Sequence, residues 1–364
     1  MTRYLLAGGG TAGHVNPLLA LAEHIRQTEP KSEILVLGTK EGLESRLVPE
    51  RGFELLTIAR LPFPRRPNGY ALKFPVAFLR AIKQVREIIS QRRVDVVVGF
   101  GGYAAAPAYR AAKREGVPVV IHEANARPGL ANILGASSAA IVAVTFAGTP
   151  IKKAQVTGMP LRKEIASLNL AEKRAEGREY FNLDPERDTL VITGGSLGAR
   201  AINQAMSQAA KLLVDNGLQV LHIWGGLTEI VDPGVAGYQV IEYCDRMDLA
   251  FAASTMIISR AGSTAVSEIS GLGIPAVFVP YRSGNGEQRK NAAGVVDAEG
   301  ALLVEDTDIS VEWIIETLIP LIQNETALSA MSQKSLSVGN LDGTERLYDL
   351  VQSVVDTDVK QEQK

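Results

Sequence analysis

Gly8-Gly9-Gly10-Thr11-Ala12-Gly13-His14 breaks off a short apolar strand, Tyr4–Ala7, and leads into the amphipathic run Pro17–Gln27. A glycine-rich strand-to-helix turn presents backbone N–H groups at the positive end of a helix, where an anion can be held. Two more turns of this kind follow strands, at Gly194-Gly195-Ser196 and Gly262-Ser263-Thr264. Three in one chain point to a diphosphate-bearing ligand, with His14 beside the first. Gly8, Gly10 and Gly13 also satisfy the dinucleotide fingerprint G-x-G-x-x-G. A NAD site further needs an acid at the end of the second strand to hold the ribose. Here that strand, Glu33–Leu37, runs into Gly38-Thr39-Lys40. The acid is missing, which disfavours NAD and FAD; a tight turn using glycine only for backbone freedom stays open.

Outward from the turn, short apolar strands alternate with helix-length segments. The first half reads as strands at Arg3–Ala7, Glu33–Leu37, Val94–Gly99, Val117–Glu123 and Ala140–Val144. The second half repeats the scheme at Thr189–Thr193, Gln219–Trp224, Tyr238–Glu242, Thr255–Ser259 and Ala276–Pro280. Such alternation predicts parallel sheets covered on both faces by helices. Gly158 and Pro160 suit a domain junction. The expected architecture is α/β, two doubly wound parallel-sheet domains facing a cleft, over residues 1–158 and 159–343. Ligands of such sheets lie beyond the carboxyl ends of the strands, where all three glycine turns fall. Leu347, Leu350, Val351 and Val354 have helical spacing, so residues 344–364 are expected to form a closing helix, packing toward the first domain, and a frayed polar tail from Asp356.

The 364 residues suit two domains, and 46% hydrophobic content with 34 glycines supplies cores and turns. A net charge of −2 leaves no basic excess for nucleic acid. One cysteine, Cys244, excludes a disulfide framework and a cysteine-rich metal site. The chain enters a strand directly, without a basic and then apolar leader, and lacks any apolar stretch of roughly 18 residues. The expectation is a cytosolic protein, or one attached to a membrane from the cytosolic side. Against the overall balance, Arg60, Arg65, Arg66, Lys73, Arg80, Lys83, Arg86, Arg92 and Arg93 face a single acid, Glu87, within one stretch. Phe63, Phe74 and Phe78 are interleaved. This favours a surface for anionic lipid over a solvated helix whose stripe of Phe78, Ile82, Val85 and Ile89 is simply core.

Other candidates lie on the same rim. Gly99-Phe100-Gly101-Gly102-Tyr103 allows close approach of backbone to a ligand, though a plain turn would need the same glycines. His122, Glu123 and Asn125 end the fourth strand, where they could position a sugar hydroxyl or a proton, or simply be satisfied in the core. Ser263 and Thr264 are natural helix caps, and Glu268, about a turn on, could support the helix or accept two ribose hydroxyls. Asn285 to Asn291 is a polar cluster suited to hydroxyls, and Arg162 could meet a phosphate or a base. Asp306-Thr307-Asp308 and Asp356-Thr357-Asp358 match an Asp-x-Asp metal signature, but neither falls on the glycine rim. The first is read as helix capping and no metal site is expected.

Together these segments resemble the MurG family over nearly the whole chain. The carriers are GGGTAGHVNP at Gly8–Pro17, GFGGYAAAP at Gly99–Pro107, HEANARPG at His122–Gly129, GMPLR at Gly158–Arg162, GGSLGARAIN at Gly194–Asn203, SRAGSTAVSE at Ser259–Glu268 and EQRKNA at Glu287–Ala292. The resemblance implies a GT-B glycosyltransferase fold, with an acceptor- and membrane-side first domain and a UDP-sugar-binding second domain. It implies inverting transfer of N-acetylglucosamine from UDP-N-acetylglucosamine to the muramyl 4-hydroxyl of lipid I, forming lipid II, with no cofactor. A UDP-sugar epimerase of similar fold, or a silent nucleotide-sugar sensor, is the alternative. By resemblance, Thr11, Ala12 and Gly13 line the cleft at the donor and acceptor phosphates, and Asn125, Arg162, Ser196, Ser263 and Thr264 contact the donor or its diphosphate. Main chain at Cys244 meets uracil, Glu268 the ribose and Gln288 the hexose. His14 is the leading general base, with His122 and Glu123 as alternatives on the rim. Ala12 stands where many members have glycine, which asks for a negative φ there. Implied partners are lipid I, an anionic membrane surface on the cytoplasmic face, and cell-wall synthesis and division proteins.

Overall fold

The computed structural model describes residues 1–64, 66–195, 199–226, 229–282 and 286–362. It divides into two compact units, one of Met1–Arg162 with the segment from Asp342 onward, the other of Lys163–Leu341.

The first unit holds a parallel sheet of β1 (Arg3–Ala7), β2 (Glu33–Thr39), β3 (Glu54–Ile58), β4 (Val96–Gly99), β5 (Val119–Glu123), β6 (Ile141–Val144) and β7 (Gln155–Val156). Their order is β3-β2-β1-β4-β5-β6-β7. Successive side chains alternate between the faces, so one sequence feeds two cores. Leu5, Leu35, Val97 and Ile121 face the helices Gly69–Arg92 and Ala105–Glu115. Tyr4, Leu6, Val36 and Val98 face the helix Ala12–Thr28 and the helix Gly343–Glu362, which contributes Leu347, Val351, Val354 and Val355. Each fully buried aliphatic side chain contributes about 1.5–3 kcal/mol. The closing helix is further tied by Tyr348 and Gln352, which donate to the Glu29 carboxylate at 2.9 and 2.6 Å. The helix does not fray at Asp356 as expected; it continues to Glu362.

The second unit repeats the plan with β8 (Thr189–Thr193), β9 (Gln219–Ile223), β10 (Tyr238–Ile241), β11 (Met256–Ser259), β12 (Ala276–Phe278) and β13 (Ala301–Leu303). These run parallel in the order β10-β9-β8-β11-β12-β13.

In each sheet the strand order reverses direction once, between β1 and β4 and between β8 and β11. Connections diverge there and leave a crevice at the carboxyl ends. The register pairs Ala7 with Gly99 and Thr193 with Ser259. The first glycine turn and Gly99–Tyr103 therefore flank one switch point, and the second and third glycine turns flank the other.

Candidate functional site

At the first switch point the helix begins at Ala12, earlier than the periodicity indicated, with extended Thr11 as its cap residue and no side-chain capping bond. Ala12 and Gly13 thus lie in the first helical turn. Ala12 is absent from the positive-φ positions, which in this turn are Gly9 and Gly10, so alanine carries no backbone strain. The His14 amide bonds the Thr11 carbonyl, leaving the amides of Ala12 and Gly13 as first-turn donors.

His14 lies half-buried on this helix. Its Nδ1 is 3.1 Å from the Gly9 carbonyl and 3.3 Å from Thr11 Oγ1. A carbonyl can only accept, so in the neutral ring Nδ1 carries the proton and Nε2 keeps its lone pair. A Cβ placed on Gly101 would lie 3.2 Å from Nε2, so the loop after β4 borders the reactive edge.

The neighbouring candidates occupy other positions. His122 is wholly buried, with Nε2 3.0 Å from the Gly158 carbonyl, and burial pushes its pKa down to about 4. Nδ1 is buried with no hydrogen-bond partner among the described residues. This ring holds the junction turn and offers no open edge. Glu123, 2% exposed, accepts from the amides of Asn125 and Gly129, both at 2.9 Å, and from Asn132 Nδ2 at 2.8 Å. It organises the loop that carries Asn125. Asn125 and Arg162 are half-buried.

At the second switch point Gly262, extended, caps the helix Ser263–Gly271, again without a side-chain capping bond. Ser263 and Thr264 were expected as caps; they lie inside the first turn instead. Asn68, Asn169 and Asn324 cap helices elsewhere through their side chains. Here the first amides keep no such partner and the dipole faces outward. Thr264 Oγ1 is buried without a partner among the described residues, and Glu268 is 7% exposed one turn on. Asn291 Nδ2 donates to the Ala261 carbonyl at 3.3 Å, and Gln288 Oε1 accepts from the Tyr281 amide at 2.8 Å. Cys244 is a buried free thiol whose pKa burial raises to about 11, so its side chain stays neutral. Ser196 and Asn285 lie outside the described residues.

A buried chain supports the helix Arg200–Gln208 behind the second turn. Asn203 Nδ2 donates to the Trp224 carbonyl at 3.1 Å, so its Oδ1 accepts from His222 Nε2 at 3.1 Å, and Tyr238 O–H donates to His222 Nδ1 at 2.7 Å. Burial takes the His222 pKa down to about 3, in keeping with this neutral arrangement.

Asp306 does not cap a helix. It pairs with Arg260 at 2.6 Å, and Arg260 also donates to the Val279 carbonyl at 3.1 Å; Ser310 caps the helix that follows. Among the described residues no group of three or more His, Cys, Asp or Glu is placed to hold a metal ion.

Within the basic stretch the aromatics turn inward. Phe63, Phe74 and Phe78 form a ring cluster, 5.4–6.3 Å between centroids, against the core. Arg86 pairs with Glu115, Arg92 with Glu33 and Glu54, and Lys83 lies 3.8 Å from Glu87. What faces outward is Leu72, 83% exposed, with Val76 and Leu79 one and two turns on, beside exposed Lys73 and Arg80. Leu130, Ile133 and Leu134 are exposed as well, and Leu134 lines a hollow together with Phe63, Phe78 and Tyr109. Arg65 lies outside the described residues. No helix is long and apolar enough to cross a membrane, among the described residues.

Sequence reasoning missed Glu44, which reaches beneath the first glycine turn, and the exposed leucines of Leu130–Ala136. An acid that opens a separate short helix, Glu44–Glu50, and a short apolar helix leave no motif to notice.

The glycosyltransferase family 28 N-terminal domain matches residues 4–144, and its C-terminal domain matches residues 189–353. The chain is 58% identical to the UDP-N-acetylglucosamine--N-acetylmuramyl-(pentapeptide) pyrophosphoryl-undecaprenol N-acetylglucosamine transferase of Clavibacter michiganensis, over 98% of this chain and 97% of that one. It is 52% identical to the protein of the same name from Leifsonia xyli, over 97% and 99%. Among solved structures, Acinetobacter baumannii MurG superposes with a TM-score of 0.77 at 28% identity, covering 97% of this chain and all of that one. The calicheamicin glycosyltransferase CalG4, at 15% identity, TM-score 0.68 and 98% coverage of both chains, shares the fold.

Proposed function

The chain belongs to glycosyltransferase family 28, and from that premise we propose that it moves N-acetylglucosamine from UDP-N-acetylglucosamine to the muramyl 4-hydroxyl of undecaprenyl-linked lipid I, giving lipid II. The observation that carries the chemistry is His14: with Nδ1–H held by the Gly9 carbonyl, Nε2 is a proton acceptor beside a helix N-terminus. The acceptor hydroxyl gives its proton to Nε2 as its oxygen attacks the anomeric carbon. The bond to the UDP oxygen breaks with inversion, and charge builds on the leaving diphosphate, where fixed amide donors can stabilise it.

In this reading the amides of Thr11, Ala12 and Gly13 and those at Ser263 and Thr264 meet phosphate. Asn125, Arg162, Ser196 and Gln288 contact the donor, Glu268 the ribose, and main chain at Cys244 the uracil. The acceptor is a lipid, so the enzyme works at the cytoplasmic face of the membrane. The stripe Leu72–Val76–Leu79 with Lys73 and Arg80 supports that placement. The test is labelled UDP-N-acetylglucosamine with a lipid I analogue. Radioactivity in the lipid product is expected; an isomerised nucleotide sugar formed without acceptor indicates an epimerase, and binding without any product indicates a sensor.

A further inference from the structure

We propose that Glu44 is a positioning residue for His14, acting through the one peptide group that joins Gly9 to Gly10; the proposal rests on His14 being the proton acceptor. Glu44 has no exposed surface. Neutral donors hold its carboxylate: the Thr39 amide at 2.9 Å and the Thr39 hydroxyl at 2.8 Å on Oε1, and the Gly10 amide at 2.8 Å on Oε2. Three glycines make room for it. A Cβ on Gly9, Gly38 or Gly42 would lie 2.3, 2.5 or 2.0 Å from its side-chain atoms.

A carboxylate in this place is unfavourable on two counts. Burial strips its hydration, and its charge opposes an anionic ligand at the neighbouring helix terminus. Shaping the turn alone would not need a charge. The Gly10 N–H that it takes belongs to the same peptide as the Gly9 carbonyl that accepts from His14 Nδ1 at 3.1 Å. Among the described residues no peptide bond is cis, so that N–H and carbonyl point in opposite directions. Carboxylate and imidazole therefore stand on opposite sides of one planar group. The loop after β4 clamps that group, since a Cβ on Gly102 would lie 2.4 Å from the Gly9 oxygen.

A carboxylate on the N–H side pushes electron density toward the carbonyl oxygen and strengthens it as an acceptor. When Nε2 takes the acceptor's proton, the new positive charge on the ring is met at Nδ1 by that oxygen, with the Glu44 charge behind it. Glu44 thus fixes the tautomer and steadies the imidazolium. This is the task of the aspartate in a Ser-His-Asp triad, carried through a peptide instead of by direct contact.

The experiment is a double-mutant cycle on the full-length protein, with Glu44→Gln in wild-type and His14→Ala backgrounds. The readouts are kcat, donor KM and the UDP dissociation constant. In the wild-type background kcat is expected to fall about tenfold, a coupling typical of one hydrogen-bonded network. UDP affinity should be unchanged or tighter, and in the His14→Ala background kcat should fall no further. An equal loss in both backgrounds, or a loss expressed as weaker UDP binding, overturns the proposal and leaves Glu44 shaping the turn. If thermal unfolding shows that Glu44→Gln does not fold, Glu44→Asp keeps the charge but shortens its reach. It should give a smaller kcat loss that again vanishes with His14→Ala. A full kcat in His14→Ala alone rejects the proton-acceptor reading itself, a result distinct from the others.

Discussion

Thr264 holds a hydroxyl oxygen buried without a partner among the described residues, at the open end of the helix Ser263–Gly271. An unmade hydrogen bond of this kind costs about 1–3 kcal/mol. Thr264→Val should therefore raise the unfolding midpoint while weakening UDP binding, two opposite signs read by thermal denaturation and calorimetry. Weaker binding with lower stability would make Thr264 a packing residue. Glu268→Ala should raise the donor KM with the fold intact, because charge-assisted bonds to ribose hydroxyls are worth about 1.5–3 kcal/mol each. Unchanged donor affinity would reduce Glu268 to support for its helix. Asp306 is engaged by Arg260, so turnover is expected to persist in EDTA; loss restored by magnesium would return Asp306 and Asp308 to the chemistry. The position of His14 at the start of the helix was legible in sequence because it follows the glycine turn directly. His122 and Glu123 share its rim in sequence but not its exposure, and no pattern separates a rim residue facing solvent from one facing the core.

Among the elements, the helix Gly69–Arg92 divides its labour by face. Ile82, Val85 and Ile89 are buried, while Leu72, Val76 and Leu79 look outward. Replacing those three by serine removes no core contact, and exposed substitutions usually change stability by less than about 0.5 kcal/mol. The triple variant should lose sedimentation with anionic liposomes and keep turnover on a water-soluble acceptor. Retained sedimentation would place the membrane contact elsewhere. The charges of Lys73 and Arg80 act within a screening length of about 8 Å, so their share of binding should fade in high salt. The local excess of nine basic residues over one acid overstated this face, because Glu33, Glu54 and Glu115 arrive from elsewhere in the chain to pair with Arg92 and Arg86. The strands show the same limit. Every central strand was readable as an apolar run, but β3, β7 and β13 were not. All three are sheet edges; β7 is exposed and β3 and β13 are only partly buried. An edge strand has one neighbour and less cover, so its sequence is under less pressure to be apolar.

For the whole molecule, each unit contains a neutral histidine sealed in its interior, His122 in the first and His222 in the second. Their pKa values fall to about 4 and about 3 in the fold, below the ordinary value of about 6.5. The unfolded chain therefore binds more protons below pH 6.5, and folding stability drops as pH falls. The expected slope is about 1.4 kcal/mol per pH unit for each ring, ending near pH 4 for His122 and near pH 3 for His222. Urea midpoints measured between pH 7 and 4.5 check this; a flat profile would mean that the rings titrate in the native state. The first unit has one property the second lacks: its chain is interrupted. Leu347 and Val351 complete a core begun at Tyr4 and Leu6. On the ribosome, where domains fold as they emerge, Lys163–Leu341 can close as soon as it clears the exit tunnel. The residues made first must wait for Asp342 onward, so the order of birth and the order of folding are reversed. Until then the part of that sheet face which the helix Gly343–Glu362 covers stands open to chaperones.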